Sequence, residues 1–346
     1  MRTRVRQPVE NKKHTGKNTG KCPEGTHCAT AGSALLAVLW LVAGLSAIAF
    51  SLATTVRGEA ERTSTAVDGV RSYYLATGAI QRAILYMQWS PTQLPDGRPR
   101  YYAPGTPAFD FQFASGVAHV EIIPETAKLN INLAPPEDLF RVLTNLGMDP
   151  NRTREIVLGI VDWRTAAAAE RLTEFDQFYL SLSPSFRARH ASFEEIEELL
   201  LIKGMTPDLF YGTYDRDEQG RLFPRPGAKE CLSVFGATDR FDANTAQPAV
   251  LGLAGLSPEM VAALIARRRV APFRTDQEVA AFMGGANRLR IGGNSIFTLR
   301  ATAQLRLPNG QLSDLRRTAA ALVKFMPPGY DATIQILRWY DNAWNQ

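Results

Sequence analysis

Between Ser33 and Val56 the chain runs for 24 residues, SALLAVLWLVAGLSAIAFSLATTV, without one ionisable side chain. As an α-helix this stretch is roughly 36 Å long at 1.5 Å per residue, enough to cross the hydrocarbon core of a bilayer. Residues 1–32 hold seven Lys or Arg and two Asp or Glu, so this leader carries the whole formal net charge of +5 of the 346-residue chain, and the body is neutral. Basic residues ahead of an apolar span orient it with its N-terminus in the cytoplasm and its C-terminal body translocated. A neutral body also offers nucleic acid no bulk electrostatic attraction.

Three fates of the span fit its residues. It can be a removed secretory signal cut at Ala47-x-Ala49, a retained helix freed by a cut between Gly32 and Ser33, or an uncleaved anchor. Its length favours retention and leaves the point of cleavage open.

Helical periodicity continues past Arg57, with Val67, Val70, Tyr73, Ile80, Ile84 and Met87 three, four or seven residues apart, so one helix is expected over residues 33–89. Pro91, Pro95, Pro99, Pro104 and Pro107 then read as a loop. Strands are expected at Val117 to Ile123 and at Phe297 to Leu307, where apolar and polar residues alternate, and the second run meets Asn309-Gly310, a pair suited to a tight hairpin. Ala320 to Phe325 and Ile334 to Tyr340 can return from it.

The stretch from about Asn130 to Gly293 reads instead as helices and loops, with an internal repeat. Gly147-Met148-Asp149-Pro150, Gly204-Met205-Thr206-Pro207 and Gly255-Leu256-Ser257-Pro258 share one form. Gly ends one segment in a left-handed turn, the polar residue caps the next helix, and Pro takes the first helical position. Asn132-x-Ala134-x-Pro136 is echoed by Asn244-x-Ala246-x-Pro248, and Ser192-x-x-Glu195 and Thr275-x-x-Glu278 have the form of capping boxes.

Little here suits catalysis. The body has only His119 and His190, no Gly-rich phosphate loop, no Gly-x-Ser-x-Gly elbow and no metalloprotease His pair. Glu194, Glu195, Glu197 and Glu198 read as a solvated helix face, and Cys231 as a small buried apolar residue. Cys22 and Cys28, with His27 between them, lack the second ligand pair of a zinc site. Helical hairpins raise a DNA-binding alternative, a membrane-anchored helix-hairpin-helix receptor of an uptake system. Against it, Asp149, Thr206 and Ser257 stand where such hairpins carry a second Gly that admits a phosphate, and Arg267, Arg268 and Arg269 are the only basic run nearby, equally suited to a solvated helix end or an acidic protein partner.

Taken in order, several segments resemble the general secretion pathway protein K family, the large minor pseudopilin of bacterial type II secretion. They are the basic leader ending in Gly32, the apolar helix with Val38-Leu39-Trp40, Tyr74-Leu75-Ala76-x-x-Gly78-x-x-x-Arg82-Ala83, and Lys128-x-Asn130-Ile131-Asn132-x-Ala134-Pro135. Asp162-Trp163-Arg164, Ser192-Phe193-Glu194-Glu195, Leu200-x-x-x-Gly204-Met205 and Asn244-x-Ala246-x-Pro248 follow. The resemblance implies an α+β fold: a pilin-like long N-terminal helix packed on an antiparallel sheet, with a large all-helical insertion containing helix-hairpin-helix-like repeats. Its expected parts are a cleaved leader over 1–32, a transmembrane and assembly helix over 33–56, a pseudopilin domain over 57–125 and 294–346, and the insertion over 126–293.

It further implies cleavage by prepilin peptidase between Gly32 and Ser33, N-methylation of Ser33, and residence in the bacterial inner membrane as a single-pass protein with a periplasmic body. The expected partners are the I, J and H minor pseudopilins and the major pseudopilin, with no nucleic acid and no catalytic residues. Most pilins carry Glu at the fifth mature position; here it is Ala37, which fits a subunit at a filament tip with no neighbour above it. Family members can bind calcium in the insertion. Here Asp162-Trp163 is followed by Arg164-Thr165-Ala166-Ala167-Ala168-Ala169, and the oxygen donors nearby are Asp162, Glu170, Glu174 and Asp176, fewer than a site of six to eight oxygens wants. No cofactor is required, and calcium stays open.

Overall fold

A computed structural model describes residues 30–89, 93, 97, 101–167, 171–285, 288–293, 295–326 and 333–343. The chain divides into two compact units, Met1–Thr63 and Ser64–Gln346. One helix, α1 (Thr30–Gln88), crosses that boundary. In the first unit it holds the apolar run, whose described side chains are all exposed, and it is long and apolar enough to cross a membrane. In the second it ends with Trp89 donating to the Leu85 carbonyl, directly before Ser90-Pro91, where the proline ring disfavours helical backbone in the residue ahead of it.

The second unit is built on a five-stranded antiparallel sheet. Its strands are β1 (Ala108–Phe113) and β2 (Gly116–Pro124) at the start of the body, and a later set described below. Between the two sets lie β3 (Leu129–Asn130), α2 (Pro136–Asn145), α3 (Pro150–Arg164), α4 (Glu174–Leu180), α5 (Pro207–Tyr211), β4 (Gly212–Arg216), β5 (Leu222–Pro226), α6 (Ala228–Cys231), β6 (Leu232–Ser233), β7 (Phe241–Asp242), α7 (Pro248–Leu251), α8 (Pro258–Val270), α9 (Asp276–Met283) and β8 (Leu289–Arg290). The chain then returns to the sheet as β9 (Ile296–Arg306), β10 (Leu312–Phe325) and β11 (Ile334–Tyr340), giving the order β1-β2-β9-β10-β11.

Strand alternation decides which face is covered. Ala118, Val120 and Ile122 of β2 and Phe297, Leu299, Ala301, Ala303 and Leu305 of β9 point to one side, as expected from their period of two. There they meet Leu75, Ala76, Ala79, Ile80, Ala83, Ile84 and Met87 of α1. Alanines on both surfaces let helix and sheet approach closely, and burying one such Leu or Ile contributes about 1.5–3 kcal/mol. The expected stripe is corrected at its start: Val67 and Val70 are 43% and 56% exposed. At 100° per residue Val67 and Val70 lie about 140° and about 80° round α1 from Ile80, away from the covered face, so only the second part of the periodicity reports on the core.

A second hydrophobic cluster fills the insertion, centred on Leu129, Ile131, Leu139, Leu143, Ile156, Ile160, Tyr179 and Phe210. The expectation of an all-helical insertion is overturned. It contains an antiparallel hairpin, β4 with β5, and two parallel pairs of two residues each, β3 with β6 and β7 with β8. Such short pairs leave no readable alternation, and Pro224 and Pro226 are tolerated in β5 because the hairpin has only edge strands.

The three Gly-apolar-polar-Pro joints fold largely as their chemistry predicts. Gly147, Gly204 and Gly255 have φ of +83°, +87° and +78°, and a proline opens α3, α5 and α8. Asp149 accepts from the amides of Asn151 and Arg152, and Ser257 from that of Met260, whereas Thr206 occupies the cap without a side-chain bond. The Ser192 box is also corrected: the helix that follows is a 3-10 helix, Ile196–Leu201, capped by Glu195 with Glu198. At Thr275 the side chain accepts from the Glu278 amide as expected, while Glu278 reaches back to the Arg274 amide.

Candidate functional site

The repeat in the sequence has a structural cause. Asn132 grips the backbone of Phe193, donating to its carbonyl at 3.0 Å and accepting from its amide at 2.7 Å. Asn244 grips Phe273 in the same way, at 2.8 and 2.9 Å. Near the end of the second helix of each hairpin an arginine turns back: Arg164 donates to the carbonyls of Ile131 and Ala134 at 2.6 and 2.7 Å, and Arg268 to those of Ala243 and Ala246 at 3.0 and 2.9 Å. The Asn-x-Ala echo thus marks a segment pinned by one amide side chain and one guanidinium. A guanidinium has five donors in a fixed fork and saturates carbonyls that no helix or sheet claims.

This changes the reading of the arginine run. Arg268 is committed to the fold, and Arg267 donates to the Ala271 carbonyl and lies over the Phe273 ring, 5.1 Å from its centroid. Only Arg269 of the three is exposed, so the run is not a free basic patch.

The acidic run is a solvated face only in part, with Glu194 and Glu195 exposed and Glu197 and Glu198 half-buried. Glu198 accepts from the Trp163 indole at 3.0 Å and from the Glu194 and Glu195 amides, Glu197 pairs with Lys229 at 2.9 Å, and Glu195 with Arg338 at 2.5 Å. Of these, Glu197 and Glu198 lie on the 3-10 helix, where three residues per turn send neighbouring side chains in different directions, and Glu195 precedes it in extended backbone. Some reach the sheet's second face and cross-brace it to the insertion. There Arg300, its side chain 13% exposed, bridges Glu121 at 2.6 Å and Glu230 at 3.2 Å, and Glu125 accepts from Lys128, Thr298 and Ser233. A cavity of about 340 Å³ opens between these layers, lined by Ile123, Leu232, Leu322, Glu197, Lys229 and Tyr340 among others. Burial, then the Glu197 charge, pushes the Tyr340 hydroxyl up to about 12.

Of the four expected calcium donors, Glu170 lies outside the described residues and Glu174 is exposed in the first turn of α4. Asp162 and Asp176 are brought together, but around His190. The buried Asp176 carboxylate accepts from His190 Nε2 at 3.0 Å and from the amides of Ala188 at 3.2 Å and Thr173 at 3.3 Å. Burial alone would raise the Asp176 carboxyl; the His190 bond and the two amides outweigh it and hold the group below its ordinary range. Asp162 accepts from Thr173 Oγ1 at 3.2 Å and is pushed up, chiefly by burial. Among the described residues no group of three His, Cys, Asp or Glu is placed to hold a metal ion. With both Asp176 oxygens engaged by N–H donors, the described donors do not fit calcium. Sequence reasoning passed over His190, and no spacing around it would have found this role.

Cys231 is fully buried and burial pushes its thiol up, consistent with an inert packing role, and His119 is exposed on β2 beside Asp110. Gly32 and Ser33 fall in the first turn of α1.

The class is therefore a chain with a long apolar N-terminal helix that continues onto an antiparallel sheet interrupted by a pinned, mostly helical insertion. Within that insertion, residues 126–212 match the family model described as Type II secretion system (T2SS), protein K. The type II secretion system protein K of Klebsiella pneumoniae is 24% identical over 193 residues, which cover 52% of this chain and 59% of that protein's length. The chain thus spans less than two thirds of the curated relative it matches. The crystal structure of the GspK-GspI-GspJ complex from the enterotoxigenic Escherichia coli Type 2 Secretion System aligns with a TM-score of 0.49 at 16% identity, covering 82% of this chain and 100% of that one. By these matches the insertion of this chain is similar to protein K of type II secretion systems.

Proposed function

We propose that this chain is a minor pseudopilin, a non-enzymatic subunit placed at the tip of the type II secretion filament and helping to initiate it. The observation that carries the reading is a bilayer-length apolar helix continuous with a helix seated on a sheet, in a chain whose insertion matches protein K. After prepilin peptidase cuts between Gly32 and Ser33 and Ser33 is N-methylated, the stem stays in the inner membrane with the body in the periplasm. It then leaves lipid for a helical filament core as the I, J and H types and the major pseudopilin assemble below. Small residues in the stem, Ala34, Ala37, Ala43, Gly44 and Ala47, permit close helix approach. The two pinned hairpins are read as related helix-hairpin-helix-like modules used for shape and contact, not for DNA.

The test is co-purification of the detergent-solubilised full chain with the I and J pseudopilins of the same cell. The reading expects a stoichiometric complex that survives high salt. Migration of the chain alone, together with retention of duplex DNA at low salt, would replace it with the DNA-receptor alternative.

A further inference from the structure

His190 is the one non-glycine residue among those described with a left-handed backbone, φ +49°, a conformation held only where the surroundings demand it. Its side chain is 10% exposed. Nδ1 lies 3.2 Å from the Asp162 carbonyl and 3.2 Å from the Thr165 carbonyl, while Nε2 lies 3.0 Å from Asp176 Oδ2. Carbonyl oxygens only accept, and both Asp176 oxygens already accept from backbone amides. Each ring nitrogen therefore faces an acceptor and must carry a hydrogen, which makes the ring an imidazolium by hydrogen-bond accounting alone.

Every neighbouring element contributes to this arrangement. The end of α3 supplies the Asp162 carboxylate and the carbonyls of Asp162 and Thr165; the start of α4 supplies Thr173 and Asp176. The segment carrying His190 adds Arg187, 3.7 Å from Asp176, and is tied to α3 by the Ala191 amide on the Trp163 carbonyl. Carbonyl and carboxylate oxygens converging on one point from separate segments are what a hard cation such as calcium requires. Here a side chain stands at that point.

We propose that His190 is a built-in cation of the insertion, joining the end of α3 to the start of α4 where oxygen donors converge, so that the fold of this module depends on His190 and not on calcium. The inference concerns the insertion alone and is independent of the assembly reading.

The test is thermal unfolding of the detergent-solubilised full chain in excess calcium chloride and in excess EGTA, for the wild type and for His190→Asn. Asparagine tolerates the left-handed backbone and removes the cation. Wild-type midpoints are expected to coincide in the two buffers, and the variant to unfold at a lower temperature in both. Nitrogen-15 spectra of the imidazoles at neutral pH, assigned by the signal lost in His190→Asn, are expected to show both His190 nitrogens protonated. A wild-type midpoint that falls in EGTA, a variant that unfolds with the wild type, or the paired shifts of a neutral tautomer would each overturn the proposal.

Discussion

The sheet with its helix and the insertion are held together by different physics. On the sheet, Ala301, Ala303, Ala319 and Ala321 face Ala76, Ala79 and Ala83, and the stabilising term is removal of apolar surface from water at close range. The insertion has an apolar cluster too, but its irregular segments are located by single polar side chains that each saturate backbone groups: Asn132, Asn244, Arg164, Arg268, Asp176 and His190. Apolar packing tolerates exchange of one small side chain for another and resists added volume. Polar pins behave in the opposite way, since losing one leaves buried donors and acceptors unpaired.

The largest effect is expected where the two regions meet. Arg300→Met removes the charge between Glu121 and Glu230 and leaves both carboxylates uncompensated, costing about 3–5 kcal/mol in denaturant unfolding of the detergent-solubilised chain. Next, Asn132→Ala and Asn244→Ala each strand an amide and a carbonyl of a buried Phe and are expected to cost about 1–3 kcal/mol. Ala301→Leu tests the other side of the comparison, with overpacking expected to cost about 1–3 kcal/mol while Ala301→Ser stays milder.

These pins also explain what could be read in advance. The alternation of β9 and the Asn309-Gly310 turn were legible because every second side chain enters the core and because the turn at Gly310, φ +83°, needs a residue that accepts positive φ. The strand β1 was legible in principle, since Phe109, Phe111 and Phe113 recur at spacing two, but it follows a proline-rich stretch that reads as loop. The first half of β10 is polar because it is largely exposed, so only Ala320 to Phe325 announced itself. In the insertion the Asn-x-Ala echo was visible as a pattern, yet its meaning depended on Phe193 and Phe273, 61 and 29 residues away. The same distance hid the arginine pins and the His190–Asp176 pair.

Two smaller effects sharpen the contrast. Tyr102 and Tyr340 each titrate at about 12, through burial first and then the charges of Asp242 and Glu197. A folded-state value raised above the unfolded one, about 10 for tyrosine, means their contribution is complete below pH 10 and is lost as pH rises towards 12. Absorbance at tyrosinate wavelengths should show a late-titrating component near 12, and Tyr340→Phe should remove part of it. Smallest is the capping comparison. Asp149→Ala is expected to cost about 1 kcal/mol because it frees two amides, whereas Thr206→Ala, with no cap bond to lose, should stay within about 0.5 kcal/mol.

The proposed function requires that the apolar helix be kept after a cut on its cytoplasmic side and serve first as anchor and then as filament stem. The N-terminal sequence of the mature protein isolated from membranes tests this most directly. A first residue of Ser33 is predicted. A chain beginning at Phe50 would mean the stem is discarded, one beginning at Met1 or Arg2 would mean the leader is never removed, and either result contradicts the claim.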